Sequence, residues 1–148
     1  MTKRTAMKRR MTLDEMRTRA ARRWARRKAP SDEEHRTQVS CVRWFNLKYP
    51  HLRGRLFAVP NGGRRDAVTG AKLKAEGVVP GVSDLILLKS NHRYGALLIE
   101  MKTTKGCQSA SQRWWQSVIS ENDEYKYVVC RSLDDFMREV TAFLNDSE

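Results

Sequence analysis

The chain has 148 residues, and its 29 lysines and arginines outnumber 17 acidic residues to give a net charge of +12. This length fits one domain with an appendage, and an apolar fraction of 40% suffices for one hydrophobic core. No apolar run is long enough to span a membrane and no secretory leader is apparent, so we expect neither a membrane partner nor export. The positive surplus favours a polyanion such as DNA or RNA.

The three cysteines are Cys41, Cys107 and Cys130, which lie far apart and form no CxxC pair. Neither a disulfide framework nor a cysteine zinc site is expected from this spacing. Reduced thiols are typical of cytoplasmic proteins, and we therefore expect a cytoplasmic chain, in a host cytoplasm if it is viral.

The charge is concentrated in a basic arm, residues 1–30, which holds twelve lysines and arginines but two acidic residues. Thr12 and Glu15 have the spacing of a capping box, which predicts a helix in this arm as far as about residue 28. We expect sequence-independent phosphate contacts here, among them those of Arg22, Arg23, Arg26 and Arg27. The alternative is a disordered tail that only aids solubility.

The remainder, 31–148, is predicted to be a globular domain that begins with a helix. Ser31 or Asp32 would cap this helix, and an apolar side would comprise Val39, Val42, Phe45 and Leu47. A short strand at 55–59 follows, closed by a turn at 60–63. A helix over about 66–76 would end at Gly77, which suits the position just after a helix.

Two continuous apolar runs, 85–88 and 96–99, predict strands that are buried on both faces. Ser109 and Gln112 form a second capping box at the start of a helix, and a strand is predicted at 126–130. Ser132 would cap the last helix, whose apolar side comprises Phe136, Val140, Phe143 and Leu144. The order α-β-α-β-β-α-β-α predicts an α/β fold with a central mixed sheet flanked by helices.

The two apolar runs can form a hairpin whose turn is centred on His92. This pairing sets Asp84 opposite Glu100, and Lys102 then projects on the same side as Glu100. The Cβ atoms of opposed residues lie roughly 5 Å apart, so two carboxylates and one amine would converge at one end of the hairpin.

Such a buried cluster of ionisable groups is costly unless its members pair or hold a metal ion. Oxygen ligands favour Mg²⁺ or Mn²⁺, which can promote phosphodiester hydrolysis. Asp84 and Glu100 would hold the ion, while Lys102 would orient the attacking water. An ion-paired strand end without catalysis remains the structural alternative.

Segments 77–88, 99–102 and 109–112, together with 59–63 and 70–77, resemble the VRR-Nuc family of the PD-(D/E)xK nuclease superfamily. The resemblance extends over about 32–144. It implies a restriction-endonuclease-like fold and metal-dependent cleavage of DNA, with Asp84 and Glu100 as metal-binding acids and Lys102 as the catalytic lysine. By the same resemblance, Gln112 lies near the site.

The family also implies an acid on the first helix. Glu34 fits best, because it shares a helical face with Gln38, and Glu33 is the competing choice. One departure is Ser83, which stands where the superfamily has proline; this position supports the backbone and binds no metal.

Basic residues around the cluster are candidates for phosphate contacts: Arg64, Arg65, Lys72 and Lys74. Their alternative role is ordinary solvated surface charge. Trp114 and Trp115 could stack on bases, although on an amphipathic helix at least one of them is expected in the core.

Two functions are compatible with these observations. The first is a Mg²⁺- or Mn²⁺-dependent DNA endonuclease, acting as a homodimer on branched DNA such as four-way junctions or flaps. The second is a non-catalytic basic module that binds nucleic acid, in which the acids and the lysine are structural.

Overall fold

Residues 32–60 and 67–146 are described in a computed structural model. The basic arm, Ser31, residues 61–63 of the predicted turn, and both Arg64 and Arg65 lie outside the described residues, so the predictions for them stay predictions. In the described ranges, no helix has the length and apolar character needed to cross a bilayer.

Helices and strands follow in the predicted order, with one additional 3₁₀ turn after the first helix. The helices are α1 (Asp32–Lys48), α2 (Ala67–Ala75), α3 (Ala110–Ile119) and α4 (Leu133–Asn145), with the 3₁₀ turn at Pro50–Leu52. The strands are β1 (Leu56–Ala58), β2 (Leu85–Leu87), β3 (Leu97–Met101) and β4 (Lys126–Cys130).

The described strands form one mixed sheet in the order β1-β2-β3-β4. Strand β2 is antiparallel to both β1 and β3, whereas β4 runs parallel to β3. Leu85 pairs with Ile99 and Ile86 pairs with Leu98, which confirms the predicted hairpin register. One residue further along, this register sets Asp84 opposite Glu100.

The main core lies on one face of the sheet. Alternate strand residues share it with side chains of α1 and α4: Leu85, Leu87, Leu97, Ile99, Met101, Phe45, Phe136 and Phe143. Because neighbouring side chains on a strand point to opposite faces, Glu100 and Lys102 project from the other face. Packing of the hydrophobic core against one face therefore holds the sheet in place, while the opposite face presents the ionisable side chains of Glu100 and Lys102.

Helix α1 buries only part of the predicted apolar side: Phe45 lies in the core and Val42 packs against it, as predicted. Cys41 and Phe45 are fully buried, whereas Val39 is 52% exposed and Leu47 is 77% exposed. At about 100° per residue, Val39 and Leu47 lie nearly opposite Cys41 and Phe45, so one helix cannot bury both pairs. The prediction for Val39 and Leu47 was wrong, and the buried side extends toward the N-terminus through Gln38 and Glu34.

The helix ends follow the predicted sequence signals. Ser132 accepts a hydrogen bond from the Asp135 amide at the start of α4. Gly77 has a φ of +94°, and the amides of Gly77 and Val78 donate to the carbonyls of Lys74 and Leu73 at the end of α2. This pair of bonds is a Schellman motif, which glycine accommodates without steric cost.

Candidate active site

Asp84 lies immediately before β2 and is held by both neighbouring strands. Its carbonyl accepts from the Val59 amide at 2.9 Å, and its Oδ2 accepts from the Met101 amide at 2.8 Å. Burial raises the pKa of the Asp84 carboxyl, and the hydrogen bond from Met101 opposes that shift. The preceding Ser83 is fully buried and donates its hydroxyl to the Leu85 carbonyl at 3.2 Å, so its side chain is satisfied by the backbone of β2.

Glu100 is fully buried, and its two carboxylate oxygens have different surroundings. Its Oε1 accepts from Lys102 Nζ at 2.6 Å and also from Gln112 Nε2. Its Oε2 has no hydrogen-bond partner in the described part of the chain. Burial raises the pKa of Glu100 to about 7, the hydrogen bond from Lys102 opposes this, and the charge of Asp84 raises the pKa further. A buried oxygen of this kind can accept either a cation or a proton shared with the Asp84 carboxyl, whose hydrogen bond also raises the pKa of Glu100.

Lys102 directs its ammonium group back toward Glu100. The side chain is only 10% exposed, and Nζ also donates to the Met101 carbonyl at 3.2 Å. Its backbone amide donates to the Cys130 carbonyl at 3.0 Å, which ties this residue to β4 just beyond the end of β3. The ammonium position is therefore fixed from the backbone and from the carboxylate.

Gln112 links a helix terminus to the carboxylate. Its Oε1 accepts from the Ser109 amide at 2.7 Å as the second half of the capping box that begins α3. This bond orients the amide group so that Nε2 donates to Glu100. The predicted capping box is confirmed, and the same side chain also reaches the site.

Of the two candidate acids on α1, Glu34 is the one near the site. Its Oε1 accepts from the Thr103 amide at 3.2 Å. Its negative charge also raises the pKa of Asp84, although this effect is smaller than those of burial, Met101 and Lys102. Glu33 is exposed. The helical period explains the difference, because Glu34 lies seven residues, nearly two turns, before the buried Cys41.

The donor set fits a hard divalent cation held by two carboxylates. No group of three or more histidine, cysteine or acidic side chains arranged for a metal occurs within 32–60 and 67–146. Mg²⁺, however, commonly uses one or two carboxylates and takes its other ligands from water and substrate phosphates. Asp84 and the Oε2 atom of Glu100 supply the two carboxylates. Glu34 does not form a group of three metal ligands with them in this conformation.

Gly81 brings the loop before Asp84 into direct backbone contact with α3. An added Cβ would lie 2.3 Å from the carbonyl carbon and oxygen of Ser111 and 2.7 Å from the Gln112 amide nitrogen. Its φ of +88° also favours glycine. This close approach sets the distance between the segment that bears Asp84, just before β2, and the helix that bears Gln112.

We therefore expect Gly81→Ala to separate these two elements. The unfavourable φ costs about 1–2 kcal/mol and the clash adds about 1–3 kcal/mol. In thermal unfolding, Gly77→Ala should lose only the stability that the unfavourable φ costs, since that glycine has open space around it. Gly70→Ala, within α2 and also in open space, should be neutral or stabilising. Equal losses of stability for Gly77→Ala and Gly81→Ala would contradict the close contact.

The remaining candidates are more exposed. Lys72 and Lys74 lie on the surface of α2, where Lys72 forms a 4.0 Å ion pair with Glu76. Trp114 is 55% exposed, and Trp115 is half-buried, with its ring centroid 6.0 Å from that of Tyr127. Neither tryptophan belongs to the fully buried core, contrary to the expectation for at least one of them.

Two contacts near the site were not predicted. Tyr127 accepts from Gln108 Nε2 at 3.2 Å, and both burial and the charge of Glu100 raise its pKa. Arg131 donates to the loop that follows Lys102. The sequence carries no signal for the Arg131 contacts, because backbone carbonyls accept them; Tyr127 could have been found from strand alternation once the pairing of β3 and β4 was known.

Comparison with known proteins bears on the fold and the family of the chain. A solved structure described as a VRR_NUC domain protein superposes with a TM-score of 0.66 at 20% identity, covering 78% of this chain and 91% of that chain. This likeness supports the fold, and no curated protein matches the chain. The model of the VRR-NUC domain family matches residues 31–134, which is more than half of the sequence. The chain therefore belongs to the VRR-NUC domain family, a family of nuclease domains.

Proposed function

We propose that the chain is a Mg²⁺- or Mn²⁺-dependent DNA endonuclease, in which Asp84, Glu100, Lys102 and Gln112 act on the scissile phosphodiester. One observation supports this most strongly. The carboxylate of Glu100 is fully buried, with one oxygen held by Lys102 and Gln112 and the other oxygen without a partner in the described ranges, beside Asp84. A purely structural ion pair would be expected to have both oxygens satisfied.

Asp84 and Glu100 would hold the cation, and Glu34, whose charge acts on Asp84, would be the third acid of the metal site. When bound, the cation supplies positive charge to the non-bridging phosphate oxygens. Gln112 keeps the Glu100 carboxylate turned so that Oε2 faces away from Lys102. The capping bond to Ser109 makes this orientation independent of substrate.

Lys102 would orient the attacking water and stabilise the negative charge that develops on the phosphoryl group in the transition state. Its ammonium is fixed before substrate binds, so little reorganisation is needed during the reaction. In a site that is largely shielded from water, such a fixed charge stabilises the transition state more than it would in bulk solvent.

The decisive experiment is a cleavage assay with Mg²⁺ or Mn²⁺ on linear duplex, flap and four-way-junction DNA. We expect the full chain to cut at least one of these and Asp84→Ala to cut none. Asp134→Ala, which removes an exposed acid from α4, is the matched control and should retain activity. Absence of cleavage with any divalent metal, together with unchanged DNA affinity in Asp84→Ala, would favour the non-catalytic binding module.

We further propose selectivity for branched DNA by a homodimer, because two copies would present two sites to opposite strands. The same panel tests this proposal. Faster cleavage of the junction or flap than of linear duplex is expected, and equal rates on all three substrates would remove the proposal.

The basic arm, which lies outside the described residues, is proposed to bind phosphates without reading sequence. Deleting 1–28 should weaken DNA binding and flatten its dependence on salt, by about 0.9 in slope for each phosphate that the arm neutralises. The rate constant for cleavage of bound DNA should be unchanged. Equal affinity of the deletion variant and the full chain at every salt concentration would contradict this role.

A further inference from the structure

A short loop, residues 103–106, turns back beside the site after β3, which carries Glu100, and after Lys102. Its Thr103 amide donates to Glu34 Oε1 at 3.2 Å, and its Gly106 amide donates to the Thr103 carbonyl at 3.0 Å. Gly106 also lies close to the Lys102 stem, since an added Cβ would be 3.4 Å from Lys102 Cδ. The loop therefore contacts both the acid from α1 and the lysine that follows β3.

One arginine side chain donates hydrogen bonds to several backbone carbonyl groups of this loop. Arg131 Nη1 donates to the carbonyl oxygens of Thr103 and Gly106, each at 2.7 Å, and makes a longer contact of 3.4 Å with that of Thr104. The two short bonds use both hydrogens of Nη1. Neither helix nor strand pairing satisfies these carbonyls; the Thr103 carbonyl also accepts from the Gly106 amide, and the guanidinium supplies further donors to the loop.

The backbone of Arg131 is itself held firmly. The residue follows β4 directly, where the Cys130 carbonyl accepts from the Lys102 amide at 3.0 Å. Its own amide donates to Asp135 Oδ2 at 3.0 Å, in the capped first turn of α4. The side chain thus extends from a fixed point, beside the end of β3, across to the loop.

We propose that Arg131 is a positioning residue of the nuclease site. It holds residues 103–106 in the conformation that presents the Thr103 amide to Glu34 and keeps the loop packed on the Lys102 stem. This role rests on the proposed function, because a positioning residue has meaning only if the site cleaves DNA. Arg131 acts through the loop and does not bind the scissile phosphate.

Three single variants of the full chain test the proposal. Arg131→Ala removes the hydrogen bonds to the loop, and Arg131→Lys keeps the charge on a shorter side chain without the guanidinium. Arg93→Ala is the matched control, because it removes an exposed arginine that bonds to Asp123 from the turn between β2 and β3, at the other end of that hairpin. Four measurements apply to each: backbone amide exchange of 103–106 without metal, Mn²⁺ affinity without DNA, kcat and KM, and rescue of kcat by millimolar guanidinium.

For Arg131→Ala we expect faster exchange in the loop, weaker Mn²⁺ binding and a kcat about 10-fold lower with KM little changed, as for other residues that orient metal ligands. Guanidinium should restore part of the missing kcat. Arg131→Lys should fall between the wild type and Arg131→Ala, and Arg93→Ala should match the wild type.

Unchanged loop exchange in Arg131→Ala would overturn the proposal whatever the activity. A raised KM with unchanged kcat would also overturn it, since that result is typical of a residue that binds the substrate phosphate directly. If the wild type cuts no DNA, the proposed function fails, but loop exchange and Mn²⁺ affinity still decide whether Arg131 holds the loop and the Glu34 side of the site.

Discussion

Replacing Lys102 with methionine is expected to abolish DNA cleavage, lowering kcat about 1,000-fold, which corresponds to about 4 kcal/mol of transition-state stabilisation. Methionine retains most of the length of the lysine stem, so packing near Gly106 should survive. The ammonium that this change removes lies 2.6 Å from Glu100 Oε1, and no other lysine or arginine among the described residues bonds to that carboxylate. DNA affinity should change little, because one charge among many is removed.

Lys89→Met is the control for this substitution. Lys89 lies beyond the other end of β2, where its ammonium donates to the Ser90 carbonyl at 3.1 Å. The change in charge and shape is identical, but it occurs away from the carboxylates. If Lys102→Met retained more than about a tenth of the wild-type kcat, Lys102 would not have the role proposed for it.

Replacing Asp84 with asparagine should separate folding from metal binding. The amide oxygen of asparagine can still accept from the Met101 amide, and the substitution removes a partly buried negative charge next to Glu100. The metal-free variant should therefore be at least as stable as the wild type. It should bind Mn²⁺ weakly and cut no DNA, because only one carboxylate of the pair remains.

Thermal unfolding with and without Mn²⁺ measures this effect. At about 100 times its dissociation constant, Mn²⁺ should stabilise the wild type by about 2.7 kcal/mol, roughly 10 °C in Tm, and should not stabilise Asp84→Asn. Asp134→Asn, the same change at an exposed position, should respond to Mn²⁺ as the wild type does. An equal Tm shift in the Asp84 variant would mean that the cation binds elsewhere.

Local sequence signals predicted much of this fold because strand register and helix capping depend on residues that are close together in the sequence. The register of β2 and β3 follows from two apolar runs around a short turn, and this register alone predicts that Asp84 lies opposite Glu100. The capping box of Ser109 and Gln112 and the glycine end of α2 are similarly contained in a few neighbouring residues. Wherever one helical turn or one hairpin determines the contact, the sequence-based prediction agrees with the structure.

Contacts between distant segments were harder to predict. Val39 and Leu47 are as apolar as Cys41, and only the position of the sheet decides which side of α1 is buried. The contact of Gly81 with Ser111 depends on how a loop meets a helix thirty residues later. Arg131 bonds to backbone carbonyls, which every residue has, so no pattern of side chains marks its partners.

The most direct test of a metal site shared by the two carboxylates is the anomalous scattering of Mn²⁺ in crystals of the full chain. We expect a manganese peak within coordination distance of both the Asp84 carboxylate and Oε2 of Glu100, with Lys102 still bonded to Oε1 of the same glutamate. Saturating Mn²⁺ that produced no peak between these two carboxylates, or a peak only at other residues, would contradict the shared site.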